Sequence, residues 1–373
     1  MIRPQRTLHG ALLALLALVA CTPGREGGSW DGWERQHVQA ATFFQLWHQG
    51  DARLLLTFGP GGETDTTGLF VVGGEASMAL PPGAVHLAAP LRQVALLSTT
   101  HASFLSALGL ADAVVGCAHV GRLRDPLVKA RADAGAIAEV GAAEGLDRER
   151  VLVLAPEALF VYPYGTEADR GSFGALPMIP VAEYLERDPL GRAEWIRVFG
   201  VLMGKEEEAA GLFRGIAGRY EQAKAMVPPG AQRPRVFFGS SWKGAWSIPS
   251  GRSYMAHLIA DAGGDYLFAD REAPGNIGVA LEQVLQTGVQ ADFWGRIIDL
   301  ERAVTESDVA GDDGRIRALP AFAKHGAFYA NSRESDIFGQ AGLEPDVVLL
   351  DLVQVFHSGL LGDRVPVYFR AVQ

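Results

Sequence analysis

Cysteine is nearly absent: Cys21 and Cys117 are the two in 373 residues, too few for a disulfide framework or for a metal site built on several thiolates. Positive charge is scarce too, with 33 Lys and Arg against 43 Asp and Glu and a formal charge of -10. No extended basic surface is to be expected, and nucleic acid is excluded as the main partner, because binding phosphates needs a surplus of cations. No apolar run approaches the roughly 20 residues of a permanent bilayer span. His-Glu-x-x-His, Gly-x-Ser-x-Gly and His-rich loops are missing as well, and the nine histidines are scattered. Hydrophobic residues make up 48% of the chain and charged ones 20%, with 45 Gly and 20 Pro. That is material for one or two soluble cores, and it excludes disorder, collagen and coiled coil as descriptions of the whole chain.

Arg3 and Arg6 precede the apolar run Ala11 to Ala20, the pattern of an export signal over 1–20 that is too short to remain as a span. Leu18-Val19-Ala20-Cys21 resembles a bacterial lipobox, which implies cleavage before Cys21 and lipidation of its sulfur. The expected location is the periplasmic or cell-surface side, anchored to the membrane through Cys21. The alternative is an ordinary signal beside an incidental cysteine. Residues 21–50 are expected to be the lipidated N-terminus and tether, since Thr22 to Gly32 is rich in Gly and polar residues. Cys117, inside Val114-Val115-Gly116-Cys117-Ala118, reads as a small core residue.

From about residue 90, short apolar runs alternate with helical patterns, the signature of parallel α/β units. Strands are expected at Gln93 to Leu97, Ala113 to Ala118, Ala158 to Tyr162 and Met178 to Val181, with helices at Ala102 to Leu108 and Leu146 to Leu154. A second series has strands at Val236 to Gly239, Arg296 to Leu300 and Ala327 to Ala330, and helices at Tyr254 to Ala262, Leu281 to Thr287 and Asp346 to Phe356. Glu149-Arg150-Val151-Leu152 and Glu282-Gln283-Val284-Leu285 lead into strands in a similar way, a weak internal repeat that points to two related lobes. Between them Glu206 to Met226 carries Ala209, Leu212, Phe213, Ile216, Tyr220 and Ala223 on one face, a stiff amphipathic spine of about 32 Å. The expected architecture is α/β, two Rossmann-like lobes of parallel strands joined by one long helix with a ligand cleft between them: an N-terminal lobe at 51–203, the spine at 204–229 and a C-terminal lobe at 230–373. Ala52 to Phe58 and Leu69 to Gly73 suggest a hairpin leading into the first lobe.

Two motifs hint at catalysis. Gly200-Val201-Leu202-Met203-Gly204-Lys205 is one residue short of a phosphate loop and continues with Glu206, so it reads as a helix start. Ser240-Ser241-Trp242-Lys243 has Ser-x-x-Lys spacing, but Lys-Thr-Gly is absent. His101 follows Leu97-Ser98-Thr99-Thr100 at the carboxyl end of a strand, where α/β sheets place ligands.

From about 90 to 357 the chain resembles the substrate-binding proteins of ABC importers for ferric siderophores, cobalamin and haem. The matching segments are Val94 to His101, Pro156 to Tyr162, Leu190 to Ile196, Trp242 to Trp246, Ser253 to Ala256, Ala262 to Leu267 and Pro345 to Leu352. The resemblance implies a cleft receptor without catalysis or a cofactor of its own, a monomer that captures an iron(III)-siderophore chelate and delivers it to an ABC permease and its ATPase. Cobalamin or haem is the alternative ligand. Ligand contacts implied in the first lobe are Thr100, His101, Tyr162, Tyr164 and Glu183; in the second they are Ser241, Trp242, Lys243, Trp246, Arg252, Tyr254 and Asn331. Trp242, Trp246 and Tyr162 would offer flat apolar faces, Lys243 and Arg252 charge for an anionic complex, and His101 or a tyrosine an iron ligand in the haem case. Packing, capping and solvated roles are the alternatives for each of these residues. Glu167 and Glu282 are the positional matches for acidic residues that meet permease arginines; both could instead be solvated carboxylates at helix starts. Outside binding proteins, a lipoprotein hydrolase using Ser240 or Ser241 and a surface interaction or sensing module remain open.

Overall fold

Short apolar runs that end in small or turn residues form the strands. The computed structural model describes residues 32–75, 78–142, 145–163, 173–242, 245–273, 275–311 and 313–372, and among these the strands assemble into four sheets. Trp33–Gln373 is one compact unit.

The first sheet holds β1 (Glu34–Arg35), β2 (Phe44–Gln49), β3 (Ala52–Phe58), β4 (Thr66–Val72) and β5 (Val85–Leu87) in that order. The expected hairpin is its β3–β4 pair. Gly50, at φ 56, turns β2 into β3 in a conformation that favours glycine. Residues 44–49, expected to belong to a tether, are instead a strand of this sheet. Trp33 is buried, and residues 39–43 are fixed by carboxylates distant in sequence. Glu194 accepts the N–H groups of Gln39, Ala40 and Ala41 at 2.8, 2.7 and 3.0 Å. Glu186 accepts those of Thr42 and Phe43 and the indole N–H of Trp195 at 3.0 Å. Burial pushes the Glu186 carboxyl above its ordinary range in spite of these donors. No local pattern in 33–50 could reveal partners about 150 residues away.

The second sheet contains β6 (Val94–Leu96), β7 (Val114–Ala118), β8 (Ala138–Ala142), β9 (Gly145–Leu146), β10 (Ala158–Val161) and β11 (Met178–Pro180), in the order β11-β10-β6-β7-β8-β9 and parallel except for β9. Its helices are α1 (Thr100–Ala107), α2 (Pro126–Asp133) and α3 (Arg148–Leu154). Asp125 caps α2 by accepting the N–H of Val128 at 2.9 Å, with Pro126 in the first turn. Asp147 caps α3, so that helix starts two residues after the expected Leu146, which pairs within β9.

Three helices lead to the second lobe: α4 (Pro189–Glu194), α5 (Ile196–Met203) and α6 (Glu206–Ala225). The Gly200 to Lys205 run closes α5 rather than opening a helix, because Gly204 adopts φ 68 and stops it. Glu206, Glu207 and Glu208 in the first turn of α6 complement its dipole. Five of the six expected apolar residues of this helix are buried, whereas Leu212 is 40% exposed. α6 packs on α5 and on the helix at Pro345–Phe356, joining the two lobes as a spine.

The second lobe contains β12 (Arg235–Phe238), β13 (Ser240–Trp242), β14 (Ala245–Ile248), β15 (Asp265–Tyr266), β16 (Ile277–Val279), β17 (Phe293–Ile298), β18 (Ala327–Asn331) and β19 (Phe369–Ala371). One sheet runs β15-β12-β17-β18-β19, parallel except for β19; the other is the antiparallel β13-β14-β16. β17 starts three residues earlier than expected and ends two earlier. Trp294 stacks on Phe237 with centroids 3.7 Å apart, and this packing draws the start of the strand back to Phe293. The helices that matter below are α7 (Tyr254–Asp261), α8 (Leu281–Gly288), α9 (Gln340–Leu343) and α10 (Pro345–Phe356). Asp351 on α10 is fully buried and accepts the N–H groups of Val367, Tyr368 and Phe369, which blunts the β19 edge. The architecture is two α/β lobes joined by one long helix, with a cleft between them.

Candidate functional site

Parallel sheets with helical crossovers leave their strand carboxyl ends free of helix, and ligands of such sheets bind there. In this chain those ends meet across the lobes. Arg124, six residues beyond β7, donates from Nε to the carbonyl of Ser332, the residue after β18, at 3.3 Å. Asp125 beside it is nearly buried, and Asp336 lies across the seam. Burial and the neighbouring Asp125 push the Asp336 carboxyl up, against donors from the Gln340 and Gly339 N–H groups and the charge of Arg124. Asp299 and Arg333, on the loops after β17 and β18, form an ion pair on the same side.

In the first lobe the structure brings Thr100, His101, Tyr162 and Glu183 together. Thr100 Oγ1 donates to Glu183 Oε1 at 2.7 Å and shares a hydrogen bond with Ser98 Oγ at 2.8 Å. His101 has no solvent exposure; its Nε2 lies 3.7 Å from Glu183 Oε2, among the rings of Phe160, Tyr162 and Phe199. This corrects the view of His101 as a ligand contact or iron ligand: α1 turns it into the core, and only Thr100 remains at the strand end. Glu183 is likewise 6% exposed. Burial pushes its carboxyl up, but His101, Thr100 and the guanidinium of Arg192 together hold it below the ordinary range. Tyr162 is half-buried, its ring 5.7 Å from that of Tyr184.

In the second lobe the expected residues do separate work. Trp246 is buried edge-on against Phe237 and Trp294, as a core residue. Asn331 is 2% exposed, and both ends of its amide are used: Nδ2 donates to Leu300 O and Glu334 Oε1, and Oδ1 accepts from the N–H groups of Leu300 and Arg333. It staples the loops after β17 and β18 and leaves nothing for a ligand. Arg252 is exposed and paired with Glu272 at 2.6 Å. Ser241 is half-buried on β13; its Oγ and Arg296 Nη1 both lie beside Gly311, whose φ 81 and missing side chain leave them room. Ser240 and Ser241 pair across a hairpin with Ser247 and Trp246 rather than standing on a strand-to-helix elbow. Tyr254 is half-buried; burial pushes its phenol up to about 12, while Arg192 pulls it back. Glu282 is exposed in the first turn of α8. Tyr164, Glu167, Lys243 and Cys21 lie outside the described residues, as does the side chain of Trp242.

Sequence reasoning missed Arg124, Arg192 and His119. The available signal for Arg192 was a cation within the otherwise small and apolar Pro189 to Ala193. His119, directly after β7, adopts φ 58, and Glu139 accepts its N–H and that of Val120 at 2.8 and 2.9 Å. A left-handed conformation is uncommon outside glycine and places this histidine at the strand end by force of its partners. Among the described residues no group of three or more His, Cys, Asp or Glu could hold a metal ion, and no helix is long and apolar enough to cross a membrane.

Residues 94–314 match the family model described as periplasmic binding protein. An uncharacterized lipoprotein of Methanocaldococcus jannaschii is 26% identical over 297 residues, 75% of this chain and 68% of that protein. Among solved structures, the triscatecholate siderophore binding protein FeuA from Bacillus subtilis, complexed with ferri-bacillibactin, superposes with a TM-score of 0.57 at 13% identity, covering 74% of this chain and 96% of that one. The periplasmic vitamin B12 binding protein BtuF of Vibrio cholerae gives 0.52 at 17% identity, covering 72% and 99%. With more than half of its length matched by the family model and its two lobes meeting at their strand ends, the chain belongs to the periplasmic binding protein family of ABC-type transport.

Proposed function

We propose that the protein is an extracytoplasmic receptor, lipid-anchored through Cys21, that captures an iron(III)-siderophore chelate between its lobes and delivers it to an ABC permease driven by its ATPase. The observation that carries this reading is the Arg124–Ser332 contact, which brings the carboxyl ends of both parallel sheets to one seam. Arg124, on the loop after β7, supplies charge, and the paired Tyr162 and Tyr184 rings, after β10 and β11, supply flat apolar surface, the two features that an anionic chelate with aromatic donors needs. A second reading, haem or cobalamin, is favoured by His119, the histidine held at a strand end. Glu282, exposed on the first turn of α8, and Glu167 are the proposed docking residues for permease arginines. The receptor acts as a monomer and carries out no chemistry on its cargo.

Titration with ferric tris-catecholate, ferric tris-hydroxamate, cobalamin and haemin, followed by native mass spectrometry and absorption, tests this reading. Saturable one-to-one binding of a ferric chelate, weakened by Arg124→Ala and unchanged by Glu282→Ala, supports it, with the Glu282 variant failing in uptake instead. Binding of haemin with a Soret shift that His119→Ala abolishes selects the second reading. Covalent labelling by a serine-reactive probe without binding of any chelate overturns both in favour of a hydrolase.

A further inference from the structure

A receptor that holds cargo between two lobes must keep them at a defined angle, and a single helix supplies this only if side chains near its ends resist bending. α4 is a first-lobe helix that seats on the second lobe, packing against α7, α9 and α10, and α1 also meets α9. Its Arg192 places the guanidinium carbon 4.2 Å from the ring centroid of Tyr254, the first residue of α7, well inside cation–π range. The ring is fixed at its other end, because Tyr254 Oη donates to the carbonyl of Ala341 on α9 at 3.1 Å. On the first-lobe side, Arg192 Nη2 donates to Tyr184 O at 3.0 Å, and the carboxylates of Glu183 and Glu186 face the guanidinium. Glu183 in turn is bonded to Thr100, at the carboxyl end of β6. Arg192 thus joins the 183–186 loop of the first lobe, through the Tyr184 carbonyl, to Tyr254 and α9 in the other.

We infer that Arg192 is a positioning residue, stacked on Tyr254 across the lobe junction to set the angle between the lobes. Its bearing on cargo rests on the receptor function proposed above; the tie itself does not. A guanidinium suits this task because its planar face covers the ring while its edge keeps hydrogen bonds in the plane. Without it the lobes sample wider angles, and affinity for any ligand touching both falls with the share of molecules at the competent angle.

Spin labels at Lys129→Cys on α2 and Lys324→Cys in the second lobe report this angle as a distance distribution. The full-length protein carries Cys21→Ser, and Cys117 is buried. Arg192→Gln is expected to broaden and lengthen the distribution, Arg192→Lys, which keeps the charge but not the planar face, to restore only part of it, and Tyr254→Leu to broaden it without adding to Arg192→Gln in the double variant. Tyr254→Phe, which keeps the ring, should stay near wild type. Dissociation of a ferric tris-catecholate, the probe ligand, should be about tenfold faster from Arg192→Gln. Distributions for Arg192→Gln and Tyr254→Leu that superimpose on wild type, in variants whose circular dichroism shows them folded, overturn the tie. The expected broadening in a protein that binds none of the probes supports the tie and overturns the receptor function separately.

Discussion

In the first lobe Thr100, His101 and Glu183 belong to one buried polar cluster, whereas in the second Ser241, Trp246, Arg252 and Asn331 serve four unrelated tasks. Thr100 and Asn331 sit at the carboxyl ends of parallel strands, whereas Ser241 and Trp246 pair within the antiparallel β13–β14 hairpin. What separates them is the density of partners. Around β6, α1 and the 181–186 loop the polar groups face one another, with Thr100 hydrogen-bonded to Glu183 and the His101 ring 3.7 Å from the same carboxylate. In the second lobe each group answers to a different neighbour, a ring stack, a loop staple or a surface ion pair. A position at a strand end therefore locates a site, while the role of each side chain follows from what surrounds it.

The lobes share one device, a buried carboxylate that ties down a distant segment, and removing it from each gives the strongest test of the comparison. Asp351→Ala strands three N–H groups and the Arg364 guanidinium, with an expected cost of about 3–5 kcal/mol, read as a lower urea midpoint. Glu194→Ala strands three N–H groups and Arg197, and a cost in the same range would show the lobes to be anchored alike. A clear difference would show that one terminal segment detaches alone, visible as early hydrogen exchange at residues 39–43 or 367–369.

Asn331→Ala should cost about 1–3 kcal/mol by unpairing the loops after β17 and β18. Arg252→Ala, which breaks an exposed pair, should stay within about 0.5 kcal/mol of wild type. Chemical denaturation of the two variants side by side checks whether one is a staple and the other a surface group. A ligand role for Asn331 would instead appear as lost affinity at unchanged stability.

The first-lobe cluster also has a pH signature. Because Glu183 titrates below its unfolded value of 4.5, it stabilises the fold above about pH 4.5, and that contribution is lost as pH falls through the depressed folded value. Glu183→Gln should flatten this part of the acid-unfolding curve, measured between about pH 5 and pH 3. An unchanged slope would mean that the cluster is not coupled to folding through Glu183.

Much of the fold was legible. Apolar runs flanked by Gly and Pro marked β6, β7, β10, β11, β12 and β18, and spacing at 3.6 residues marked α6 and α10. β1 and β2 were illegible because Glu186 and Glu194 hold the 39–43 segment between them, and β17 was displaced because Trp294 stacks on a residue 57 positions away. Of the candidate site, Thr100 and Tyr162 were legible as strand-end residues. His101 was misjudged because one further step along the first turn of α1 carries a side chain from the loop into the core.

The amino-acid sequence by itself determined the α/β class, the two series of units and the spine between them, because apolar periodicity and breaker residues act over a few neighbours and survive in any local reading. Only the tertiary structure decided which polar residues are sealed and which face the seam. That choice depends on residues brought together from far apart in the sequence, Arg124 with Ser332 and Arg192 with Tyr254, and burial makes each such meeting an all-or-none matter of finding a partner.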